Sequence, residues 1–557
     1  MRLSAIISDG MIFQRDKEFK IFGTAKPGEI ITAQMGEKNA EGRVNEDGFF
    51  LISFSAFAAG GPYELTLKDA TGKTVTCKDM WAGDVFLLSG QSNMELPVKR
   101  TLDLYREEAE RTDEPRIRMF QLPKEPLFGV QRTLLEEGEW IAADARTVMN
   151  FSAVGFFFAK YKQAEDGVAV GLVHAAIGGA HIEAFISEET LLKEMVRMRT
   201  EAVRRGELCR CNCDKNGSCK WCYDKLLSRN KDAEYVKSVL KSEDDMVNAW
   251  FEKRDRHDIG LKAQWQSYEW PAAELAEAVA VTLPGLWHGN KLGKMFGTVW
   301  LQRTIEVPDH FTEKEVELRL GTLVDSDVTY INGIEVGRTE YRYPPRRYPL
   351  APGLLKEGRN VITIRLTMDA NVGGAQPDMP YCIKCGEDEL PLNGQWYVRI
   401  GTVEDALESR TFFCWQPTAL YNSMIYPVKE LRFAGILFYQ GESNCEHAED
   451  YVYLHRAMIE EWRSLFGEEL PYVYAQLPDF AGEGEGGRDA WIRMQHAQAK
   501  TLELRGTRMA ILHDLGEYNE IHPQNKKEVA ERFYAQWCSF KDIEPYIHKS
   551  KEMEEEY

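Results

Sequence analysis

At Asp84 the rhythm of the apolar residues changes, and that change restricts the fold more than any other feature of this chain. Before it, short runs such as Phe19–Ile21, Glu29–Ala33, Phe49–Phe54 and Tyr63–Leu67 alternate with turn signals at Lys26-Pro27-Gly28, Glu46-Asp47-Gly48 and Gly60-Gly61-Pro62. Short, evenly spaced strands of this kind predict a small β-sandwich. After it, the apolar strand Val85–Leu88 runs into Ser89-Gly90-Gln91-Ser92-Asn93. A helical stretch near residue 150 and the strand VAVGLVHAAIGG follow. Strand and helix in alternation predict an α/β domain with a mostly parallel sheet.

That rhythm is interrupted and then resumes. Residues 187–255 are charged and helical in pattern, with a cysteine-rich knot. Val299–Val307 and Glu315–Leu320 alternate again, and Asn332-Gly333 signals a hairpin. The strand FAGILFY, the helix DYVYLHRAMIEEWRSLF, the strands YVYAQL and RMAILHD and a helix from Lys526 to Phe540 restore the α/β pattern. The expected domains are therefore an N-terminal β-sandwich-like domain (1–80), a first α/β part (81–255, with the helical insert 187–255), an inserted β jelly-roll or galactose-binding-like domain (256–398), a second α/β part (399–545) and a charged tail (546–557).

Bulk properties exclude some classes of function. A net charge of −20 argues against a nucleic-acid partner, since phosphate binding draws on dense Lys and Arg. No run approaches the ~20 apolar residues that span a bilayer. The opening MRLSAIISDGMIFQRDKEF meets Asp9, Arg15 and Asp16 too early for a signal peptide, so a cytoplasmic chain is the expectation. In that reducing compartment disulfides are not the expected state of the 11 cysteines.

In an open parallel sheet, ligands sit beyond the carboxyl ends of the strands. Three strands here end in polar or glycine-rich sequence (LLSGQSNM, HAAIGGAHIEAF and LFYQGESN), and MAILHDLGEYNEIHP leads to His522. Ser92 follows a strand and a Gly and opens a helix, so it can offer a nucleophile and a backbone N–H to one space; taken alone, the motif favours a simple N-cap. Gly178-Gly179 lets backbone N–H groups approach an oxyanion without a side chain in the way, although a double glycine is more often a turn. Gln440 and Asn444 offer amides, Gln91 and Glu442 lie beside them, and His181 follows the glycines as a substrate contact. His174 and His513 fall within strands and are expected to be packed.

The stretches LLSGQSNMELPV, FSAVGFFFAK, VGLVHAAIGGAHIEAF, GILFYQGESN and DLGEYNEIHPQNK occur in the order found in bacterial sialate O-acetylesterase-like proteins, which the chain resembles from ISDGMIFQRD to its last helix. These belong to the SGNH/GDSL hydrolase superfamily. The resemblance implies a flavodoxin-like three-layer α/β/α hydrolase domain and a carbohydrate O-acetylesterase that needs no cofactor for catalysis. Its substrate would be an acetylated sugar or glycan. Ser92 would be the nucleophile and His522 the base. The oxyanion hole would combine the Ser92 N–H, an N–H of Gly178 or Gly179, and the amide of Gln440 or Asn444. The superfamily's Asp three residues before the His is Asn519 here, and the family's Asp before Ile-His is Glu520; Asp514 is a further candidate for the orienting acid. The family's Thr-Pro after the double glycine is Ala180-His181. Two rivals are a glycan-binding protein with a degenerate esterase domain and a glycosidase using Glu442.

Cys209, Cys211, Cys213, Cys219 and Cys222 have C-x-C and C-x-x-C spacings that can wrap a structural zinc, with reduced thiols in a loop as the competing reading. In the β insertion, Tyr341, Tyr343 and Tyr348 are candidate sugar contacts, although the insertion is expected chiefly to wall the site.

Overall fold

The computed structural model describes residues 1–204, 223–289, 291–312, 314–467, 470–480, 487–517 and 520–541. The chain divides into two compact units: Met1–Tyr235 with Phe412–Tyr557, and Val236–Thr411.

The first unit is organised by one long strand, Thr74–Gly90, of 17 residues. Its first half pairs antiparallel with Gly60–Lys68, continuing the N-terminal β region. Its second half pairs parallel with Val170–Ala176 on one side and Gly435–Tyr439 on the other. The expected boundary at residue 80 therefore falls inside a continuous strand. Beyond Gly435–Tyr439 lie Tyr472–Ala475 and Thr507–Ala510, also parallel. Taken in chain order, these five strands stand 2-1-3-4-5, a doubly wound arrangement. Asp113–Gln121 extends the parallel set beyond Val170–Ala176, and Trp140–Asp144 closes that edge antiparallel.

Burial on both faces explains why the central strands read as continuous apolar runs. Phe86 packs edge-on against Phe158 and Trp537, at 4.8 and 5.7 Å between centroids, from helices Ala153–Asp166 and Lys526–Cys538. Phe438, in register with Ser89, points to the opposite face and meets Trp462 of helix Ala448–Phe466 at 6.2 Å. Helices thus cover both sides. The N-terminal β region adds its own aromatic cluster, in which Phe13 stacks on Phe19 at 4.2 Å and meets Phe57 edge-on.

The second unit begins in the 25-residue helix Ala233–His257 and is otherwise mostly β. A six-stranded and a four-stranded sheet, both antiparallel, contribute Leu318, Ile364, Ile383 and Trp396 to one buried cluster. The expected hairpin forms at Asn332-Gly333, whose φ angles of 50° and 83° suit the tight turn that Asn-Gly favours. Tyr348 is buried there and donates to Asp327 Oδ2 at 2.9 Å, so it is a core residue and not a sugar contact. Tyr341 is exposed.

Candidate active site

Parallel register brings the polar segments together. Gly90 is level with Ala176 on one side and Tyr439 on the other. The residues that follow each strand, Gln91-Ser92-Asn93, Ile177-Gly178-Gly179 and Gln440-Gly441-Glu442, therefore leave the sheet along one rim. Gly90 has φ 127°, and a Cβ there would stand 2.0 Å from the Tyr439 carbonyl, so a side chain is excluded where the chain turns away from the sheet. Gln91 N–H donates to that same carbonyl at 2.9 Å. Gln91 Oε1 accepts from the N–H groups of Gly441 and Ser443, tying two segments of the rim.

Ser92 is half-buried and opens the short helix Ser92–Glu95, in whose first turn an N–H has no intrahelical acceptor. Gly178 lies against it: a Cβ on Gly178 would be 3.6 Å from Ser92 Cβ. His522 is buried in the loop before helix Lys526–Cys538. Its ring Nδ1 is 3.4 Å from Glu520 Oε1, and its backbone N–H donates to the same oxygen at 2.9 Å. Burial raises the Glu520 carboxyl, but the His522 contacts outweigh it and hold the group below its ordinary value. Burial also depresses His522, against the pull of Glu520.

One amide joins the two halves of the site. Asn93, next to Ser92, donates through Nδ2 to the Ile521 carbonyl at 3.0 Å, next to His522, and to Glu442 Oε1 at 2.6 Å. Lys526 fixes the orientation of that amide by donating to Asn93 Oδ1 at 2.7 Å. Lys526 is fully buried, and burial pushes its pKa down to about 8 although Glu517, Glu442 and Glu520 pull it up. Neither Asn93 nor Lys526 stands out in the sequence as a site residue; the only pointer is their place within the GQSNM and IHP-x-NK motifs.

The other candidates fall into different places. Asp514 is exposed and forms a two-point ion pair with Arg532, which holds it at about 2. Gly178 N–H donates to the carboxylate of Glu95, whose other oxygen pairs with Lys124. Gly179, at φ 75°, donates no hydrogen bond through its N–H among the described residues. The Gln440 amide donates to Asn444 Oδ1, Gln91 Oε1 and the Ala180 carbonyl, and Asn444 donates to Glu183. Both amides are thus spent on bracing the rim. Glu442 is raised by burial, with its Oε2 buried and without a hydrogen-bond partner. His181 is half-buried, its ring 6.4 Å from Trp415. His174 is packed within its strand, as its position suggests. His513, in contrast, lies past the strand end at Ala510, in a half-buried turn, paired to Asp479 at 3.0 Å. Cys209, Cys211, Cys213, Cys219, Cys222 and Asn519 lie outside the described residues. Among the described residues no cluster of His, Cys, Asp and Glu could hold a metal, and no helix is long and apolar enough to cross a membrane.

A doubly wound sheet that gathers a serine, two glycines and a histidine–carboxylate pair on one rim defines the class: an α/β protein with hydrolase-type side chains at its strand ends. The chain belongs to the carbohydrate esterase family of sialic acid-specific acetylesterases, whose profile matches residues 82–211 and 365–534, more than half of its length. It is similar to the sialate O-acetylesterase of Mus musculus, at 25% identity over 206 residues (34% of this chain, 38% of that protein). The Homo sapiens sialate O-acetylesterase is 22% identical over 206 residues, again 34% of this chain, and 39% of that protein. The matches thus span well under half of these relatives. The fold is also that of a carbohydrate acetylesterase from Xanthomonas citri, with a TM-score of 0.54 and 20% identity over 96% of this chain and 74% of that one.

Proposed function

We propose that the chain is a serine carboxylester hydrolase of the SGNH type that removes acetyl groups from sugar hydroxyls. The observation that carries this reading is the Asn93–Ile521 hydrogen bond, which places Ser92 and His522 each one residue from the two ends of a single contact. His522 takes the proton of Ser92 Oγ as the oxygen attacks the acetyl carbonyl. The developing oxyanion meets the N–H groups of Ser92 and Gly179, and the sugar leaves as an alcohol protonated by His522. Water then repeats the sequence on the acetyl-enzyme. Glu520 orients the imidazole and stabilises its charged form.

O-acetylated sialic acid is the leading substrate, because the family and the curated relatives bear that name. Other acetylated glycans form the second reading, favoured by the name of the Xanthomonas citri protein. Ser92→Ala is expected to abolish acetate release while the melting temperature stays near that of the parent. Esterase activity in that variant close to the parent's would overturn the mechanism. Acetate release across a panel of acetylated sialic acids and plant-type oligosaccharides would choose between the substrates.

A further inference from the structure

We infer that Phe412 and Trp415 form a platform for one face of the sugar ring whose ester Ser92 cleaves, an inference that rests on the esterase reading above. The two rings stack at 3.9 Å between centroids and 21° between planes. They project from the short turn Phe413–Trp415, in which the Trp415 N–H donates to the Phe412 carbonyl at 2.9 Å. Between them Phe413 turns inward, buried edge-on against Phe128.

The indole is locked to the rim. Trp415 Nε1 donates to the Gly178 carbonyl at 2.7 Å, and a Cβ on Gly179 would stand 2.2 Å from Trp415 Cζ2. Only glycine admits the ring so close. Gly178 in turn lies against Ser92, so a single residue separates the anchored indole from the nucleophile of the proposed mechanism. His181 stands beside the indole as a polar neighbour.

Phe412 is the telling residue. Trp415 is already anchored by its own N–H and by Gly179, and Phe413 already plugs the turn into the core, so the anchorage does not need a further ring. Yet Phe412 is 47% exposed, leaving apolar surface in water. Such a surface gains by being covered. An aromatic face is electron-rich, and the flat face of a pyranose presents polarised C–H groups to it while the hydroxyls point outward. A few polar groups beside an apolar wall is the usual make-up of a small-molecule site.

The test uses the full chain, a mono-O-acetylated methyl glucoside and ethyl acetate. Phe412→Ala is expected to raise KM for the glucoside about fivefold with kcat within about twofold of the parent, and so to lower the preference for the glucoside over ethyl acetate. Phe412→Tyr, which keeps the ring, is expected to restore KM. An unchanged KM in Phe412→Ala would overturn the platform while Ser92-dependent turnover still stood. Calorimetric titration of the deacetylated methyl glucoside into the Ser92→Ala and Ser92→Ala/Phe412→Ala proteins gives a readout free of turnover. Weaker binding in the double variant supports the platform, and equal binding overturns it even if no ester is cleaved.

Discussion

His522 is surrounded by opposing influences. Burial lowers its pKa most, Glu520 raises it, and the charges of Arg100 and Lys526 lower it again. In the proposed mechanism His522 is the general base and must be neutral, so activity is expected to fall as pH drops through that depressed value. The acid limb of kcat/KM is therefore expected below the ordinary histidine value of about 6.5, as a pH–rate profile would read. Lys526→Met removes one of the cations, so the limb is expected to move to higher pH; a limb that stayed in place would show that Lys526 matters only for packing. The orienting acid can be ranked by kcat. His522→Ala is expected to cost about 10⁴-fold or more and Glu520→Gln about 10²-fold, with Asp514→Asn milder still because Asp514 is committed to Arg532 at the surface. A greater loss in Asp514→Asn than in Glu520→Gln would reverse the assignment.

At the scale of elements, the glycines at strand ends carry the most weight. Gly90→Ala would force a Cβ to 2.0 Å from the Tyr439 carbonyl at a φ of 127°, and is expected to destabilise the first unit by about 3 kcal/mol, measured by denaturant unfolding. The positions of these turns, the strands before them and the helix after His522 were legible in the sequence, because apolar runs ending in glycine and polar residues are local signals. The continuity of Thr74–Gly90 was not. The change of rhythm at Asp84 reads as a domain boundary, yet the strand stays paired on both sides of it. Nor does sequence show how hydrogen bonds are shared out: the amides of Gln440 and Asn444 look like free donors until the rim uses them, and Glu95 looks like a helix-surface residue until it takes the Gly178 N–H. Lys526, in the charged first turn of an amphipathic helix, reads as a solvated cation, and only tertiary packing buries it.

At the scale of the molecule, each unit has its own buried core. Residues 236–411 expressed alone are therefore expected to unfold in a single cooperative transition, as seen by calorimetry; a broad, non-cooperative melt would show that this unit borrows its stability. The strand that leads into Ser92, Thr74–Gly90, has a different dependence. One of its three parallel neighbours, Gly435–Tyr439, is encoded beyond the whole second unit. At typical rates of synthesis, on the order of tens of seconds separate the emergence of Gly90 from that of Gly435. Throughout that interval the strand's apolar stretch Val85–Leu88 waits on the ribosome with an unpaired edge, a ready template for a wrong partner. A second unit able to fold by itself shortens the effective tether between the two strands, and so lowers the entropic cost of bringing the late neighbour home.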